Sequence, residues 1–129
     1  MDCLNVLSVA YPLLPVSMDS TGGAEQILAL LERGIAQRGH RSIVVAAEGS
    51  IVCGELIATP VADGEMTEEV RREAQAAHRL EIQKALEKYQ VDLIHFHGLD
   101  FYAYLPDCSL PKLATLHLPP SWYPPDVFE

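Results

Sequence analysis

Cysteine is scarce in this chain. Cys3, Cys53 and Cys108 are odd in number, far apart and free of any CxxC spacing. That pattern excludes a disulfide framework or a zinc ribbon and suits the reduced thiols of a cytoplasmic protein. Long apolar runs are missing too: nothing approaches the roughly 20 residues of a spanning helix. The start, MDCLNVLSVAYPLL, is acidic where a secretion signal is basic, and reads as a strand. Positive charge is thin, with 9 Lys and Arg against 18 Asp and Glu, a net charge of −9. The few basic residues are scattered, which argues against a nucleic-acid surface. It also disfavours an anionic membrane, while leaving peripheral docking through an apolar patch open. The fingerprints GxGxxG, GxxxxGK[ST] and GxSxG are all absent, which removes the dinucleotide loop, the Walker loop and the nucleophile elbow.

What is present is a chain of 129 residues, 49% hydrophobic and 21% charged. That is one domain with enough apolar surface for a core. Leu4–Ala10 is a short apolar run suited to a strand buried on both faces. A loop with Pro12 and Pro15 follows. From Gly23, the residues Ala24, Ile27, Leu28, Leu31 and Ile35 recur at helical spacing and predict a stripe facing a sheet. Gly39 supplies a left-handed stop, with Arg38 and His40 near the negative end of the helix dipole. Arg41–Ala47 reads as a second strand and Glu55–Val61 as a third. Thr67 is a fair N-cap for a long helix reaching about Tyr89, its apolar face being Ala74, Ala77, Ile82, Ala85, Leu86 and Tyr89. Val91–Gly98 is the fourth strand, "LDFYAYL" a short helical turn, and Lys112–Leu118 the fifth strand. The proline-rich "PPSWYPPDVFE" carries no further element. Strands alternating with helices imply an α/β fold with right-handed crossovers. The expected architecture is a doubly wound, Rossmann-like parallel sheet of order 3-2-1-4-5.

Ligands of such sheets bind beyond the carboxyl ends of the strands, where the strand order reverses. Three features converge on that rim: Gly22-Gly23 after the first strand, His97-Gly98 ending the fourth, and His117 ending the fifth. Paired glycines at a helix start let unpaired N–H groups face an anion. They are equally a plain turn, with Gly22 as N-cap and Glu25 favouring the first turn. His95 and His97 share a strand face, with Phe96 pointing the other way. No metal site is expected from that pair, nor from the cysteines. His117, braced by prolines, is placed to reach a bound hydroxyl or carbonyl; its alternative is an ordinary loop histidine. His78 falls in the helix stripe as a packing residue, and His40 acts as a cap. Ser20, Ser121 and Cys108 lack a local base. Phe101, Tyr102, Tyr104, Trp122 and Tyr123 surround the histidine-bearing strand ends and either line a sugar pocket or pack a lid.

"TGGAEQILALLERGIAQRGHRSIVVAA", "VDLIHFHG" and "LPKLATLHLPP" together resemble the N-terminal half of GT-B, family 4 retaining glycosyltransferases, over nearly the whole chain. The resemblance implies transfer of a sugar from a nucleotide-sugar donor to a sugar, lipid or small-molecule acceptor, without a further cofactor. It implies that Gly22 and Gly23 lie against the donor diphosphate or its sugar, and that His117 is the active-site histidine. His97, with Gly98, would border the acceptor pocket. Such enzymes hold the nucleotide in a second domain with a basic pair and an E-x7-E motif, and no such domain follows here. Glu65/Glu73 and Glu73/Glu81 fit that spacing by accident, along a charged helical stretch. Residues 1–129 therefore read as an acceptor-side domain, a fragment inactive by itself. Two other readings stand beside this one: a non-catalytic module recruiting another chain, or another copy of itself, through an exposed edge, and half of a nucleotide-sugar epimerase.

Overall fold

The computed structural model describes residues 3–19, 22–60 and 66–128. Ser20, Glu65 and the expected third-strand end at Val61 lie outside them. Five strands, β1 (Asn5–Val9), β2 (Arg41–Ala47), β3 (Glu55–Thr59), β4 (Leu93–Phe96) and β5 (Lys112–Ala114), form one sheet of order β3-β2-β1-β4-β5. Every pairing is parallel. The order is the one predicted. Two helices, α1 (Gly23–Gln37) and α2 (Glu68–Lys88), carry the long connections.

Alternation along the strands makes two layers. Leu7, Val9, Ile43, Val45, Ile94 and Phe96 face α2, packed with its Ile82 and Ala85. Ala10, Val44 and Ala46 face α1, with its Leu28 and Ala29. The termini of the helices follow the local chemistry. Thr67 accepts a hydrogen bond from the Val70 amide at 3.1 Å, so the predicted N-cap of α2 is formed. Gly39, at φ +85°, ends α1. Its amide reaches Ala36 O and that of His40 reaches Ile35 O, which is the paired 5→2 and 6→1 closure of a Schellman turn. His40 then accepts from the Leu4 amide at 3.0 Å and fixes the entry to β1.

The apolar stripe of α1 differs from the expected one. Its buried residues are Glu25, Leu28, Ala29 and Glu32, while Ile27, Leu30 and Leu31 stay exposed. The reason lies in the sheet beneath, which presents buried Ser8, Ser42, His95 and His97. Glu32, 1% exposed, accepts from Ser42 Oγ at 2.6 Å and from the Cys53 and Gly54 amides at 2.6 and 2.9 Å. Those amides end the link from β2 to β3, which returns to a parallel strand without a helix. That link is knitted to the proline loop as well: the Ile51 amide donates to Val16 O and the Val16 amide to Ser50 Oγ.

Two further boundaries differ. The fifth strand stops at Ala114 rather than Leu118. The Thr115 amide still donates to Phe96 O, after which the chain leaves the sheet and carries His117 in an irregular segment. Residues 120–122 and 125–128, read as featureless, form two 3-10 turns. They bring Tyr123 and Val127 back onto the α2-side core, beside Phe101.

A candidate sugar-binding crevice at the carboxyl rim

β1 and β4 run side by side but send their chains to opposite faces of the sheet, and this opens a gap at their carboxyl ends. A crevice of about 550 Å³ occupies it, lined among others by Tyr11, Gly23, Glu25, Ile27, His97 and His117. The amino end of α1 and the imidazole of His117 therefore share one cavity. Gly22 and Gly98 are not part of its lining.

The three glycines at this rim answer to different neighbours. A Cβ on Gly98 would overlap the Tyr104 hydroxyl and crowd Tyr11 Cα, so packing alone demands a glycine. Gly22 is the N-cap in ordinary extended backbone, and a Cβ there would meet only the flexible carboxylate of Glu25. A Cβ on Gly23 would meet nothing within 4 Å. Nothing in the described protein requires glycine at that position.

Opposite the helix start stands a row of imidazoles. The His95 and His97 rings lie 4.0 Å apart, and His97 stacks on His117 at 5.4 Å. His97 Nδ1 and His117 Nε2 are 3.2 Å apart, so one of the two nitrogens donates to the other. His95 Nε2 meets Thr115 Oγ1 at 2.6 Å. Burial pushes His97 down to about 3, helped by its neighbours His95 and His117. Burial lowers His95 as well, and His117 despite the opposing charge of Glu25. At neutral pH the row is uncharged and acts through hydrogen bonds.

Behind this row, Asp100 accepts from the Tyr104 hydroxyl and from Gln75 Nε2, both at 2.8 Å, and stiffens the turn after β4. The Tyr104 phenol is raised, first by burial and then by Asp100. His78 is a packing residue as expected: fully buried, its Nε2 lies 2.8 Å from Ala10 O, and its ring meets Tyr104 edge-on. Among the described residues, no group of three His, Cys, Asp or Glu side chains is arranged to hold a metal ion. No described helix is long and apolar enough to cross a membrane.

The family model described as Glycosyltransferase Family 4 matches residues 21–127. The chain belongs to Glycosyltransferase Family 4. No curated protein matches it. The matched span of this family 4 domain holds the glycine pair, both halves of the imidazole row and the returning C-terminal turns, so sugar donors and acceptors are its class of partner. Sequence reasoning put Gly23, His97 and His117 on one rim, and the structure brings them together. It gave Glu25 only a role in the first helical turn and did not single out Tyr11 or Asp100. The spacing of Glu25, Leu28, Ala29 and Glu32 on one helix face was a signal for Glu25, masked by the more apolar neighbouring stripe.

Proposed function

We propose that this domain is the acceptor-side half of a retaining glycosyltransferase. In this reading a second domain supplies most of the grip on a nucleotide-sugar donor, and the sugar reacts over the crevice described above. The observation that carries the reading is the shared cavity of Gly23 and His117. The first N–H groups of α1, backed by the helix dipole, stabilise charge on the departing phosphate as the bond to the sugar breaks. Gly22 sets the entry of that turn, and Gly23 leaves its backbone open to the incoming group. His117, neutral and braced by His97, hydrogen-bonds the transferring sugar. His97 borders the acceptor side, and Gly98 next to it leaves room for the Tyr104 hydroxyl. Front-face attack forms the new C–O bond on the side from which phosphate leaves, and the acceptor's proton passes to that phosphate. No protein base is needed.

The test is nucleotide release from a panel of nucleotide sugars. The 129-residue chain alone is expected to release none. Joined to the donor-binding domain of another family 4 enzyme, it should turn over, and His117→Ala should cost about 10²- to 10³-fold, as loss of one group poised at a developing charge does. Turnover by the chain alone would overturn the division of labour. An active fusion indifferent to His117→Ala would overturn the assignment of the site.

A further inference from the structure

Glu25 is a buried carboxylate that the reading above leaves without work. It is 5% exposed, and it lines the crevice. Glu32, two turns further along the same face of α1, takes three hydrogen bonds. The contrast is informative: Glu32 is held inside the fold, whereas the Glu25 carboxylate opens onto the crevice and is left for whatever donors enter it. Its charge is felt across the cavity. It opposes the lowering of His117 and contributes to raising the Tyr11 phenol. The carboxylate folds back over Gly22 at the amino end of α1. A bare anion entering there meets the helix dipole and a like charge at once, and the two effects oppose each other. A neutral group rich in O–H donors meets only an acceptor.

From this geometry we propose that Glu25 is a binding residue that accepts hydrogen bonds from the hydroxyls of a pyranose seated between α1 and His117. The inference rests on the sugar-transfer reading and names the group that selects the sugar. The pyranose is either the donor's sugar or the acceptor's. A carboxylate at this position also suits a helix-capping role, in which it would turn back to the Gly22 amide. Gln serves such a cap as well as Glu does, so Glu25→Gln keeps the cap and removes the charge.

Amide chemical-shift titrations of the 129-residue chain decide the matter. The probes are a panel of methyl pyranosides, the corresponding UDP- and GDP-sugars, the free nucleotides, and inorganic pyrophosphate. Glu25→Gln should weaken sugar binding about tenfold or more, the usual difference between a charged and a neutral acceptor. It should tighten pyrophosphate and weaken none of the free nucleotides, whose phosphates lose the same like charge. A loss seen with methyl pyranosides assigns Glu25 to the acceptor's sugar, and a loss confined to nucleotide sugars assigns it to the donor's. Unchanged sugar affinity in Glu25→Gln, with Glu25→Ala merely less stable, would reduce the residue to a cap and overturn the proposal. So would the absence of binding by every sugar in both panels. A fused enzyme that binds sugars through Glu25 yet transfers none would instead sink the transfer reading and leave this one standing.

Discussion

At the scale of single residues, the rim glycines separate packing from ligand approach. Adding one methyl at Gly98 forces the Tyr104 hydroxyl away from Asp100 and so disturbs a buried pair. Gly98→Ala is therefore expected to cost about 1–3 kcal/mol, read from urea midpoints, since a buried donor and acceptor lose each other. Gly23→Ala meets open space at the first residue of a helix, and Ala is the better helix former. Its stability should be unchanged or slightly raised. The methyl would nevertheless stand where the proposed phosphate approaches, so nucleotide-sugar binding should weaken. A Gly23→Ala protein that binds as the parent does would return that position to a plain turn. The sequence displays Gly23 and Gly98 alike; only the neighbours brought in by the fold distinguish them.

At the scale of elements, the strands and helix ends were legible and the facing of α1 was not. β1, β2 and β4 are apolar runs with few rival interpretations, and Thr67 and Gly39 are strong local signals for the ends of helices. Apolar spacing along the helix predicts the buried stripe only where the sheet below is apolar. Here the sheet face carries Ser42 and the histidines, so carboxylates turn inward and Ile27, Leu30 and Leu31 turn out. No local rule announces this, because the partners lie in strands distant along the chain. The fifth strand was overextended for a related reason: Leu116 and Leu118 are apolar but pack against the α2-side core from outside the ladder. The inward carboxylate makes a prediction of its own. Glu32 joins α1, β2 and the helix-free link to β3 through three donors. Glu32→Ala strands all three and should cost about 2–4 kcal/mol in denaturant unfolding. Glu32→Gln, which keeps one acceptor oxygen, should cost less. Equal losses would show that volume rather than the hydrogen bonds matters.

Over the whole molecule, four histidines share one electrostatic condition. His78, His95, His97 and His117 are all held below the ordinary imidazole range, with burial the first cause in each. An unfolded chain titrates its histidines near 6.5, so below that pH it binds protons that the folded chain refuses. Stability is thus fully present above about pH 6.5 and declines as the pH falls. For His97 the decline continues to its folded value of about 3. Each such histidine contributes a slope of at most about 1.4 kcal/mol per pH unit, less for the more exposed His117. Glu55, lowered by its bonds to Tyr89 and Arg41, acts in the same direction. It lies at the surface and its effect is screened by salt, so measurements at high salt isolate the imidazoles. Urea unfolding from pH 7.5 down to pH 4 should show the free energy falling steadily below the ordinary histidine range. His97→Gln removes one refused proton, so its curve should be shallower over that interval, whatever it loses at neutral pH. A variant whose curve runs parallel to the parent's would show that the buried imidazole row admits protons freely. The uncharged histidine pair assumed at the crevice would then be wrong.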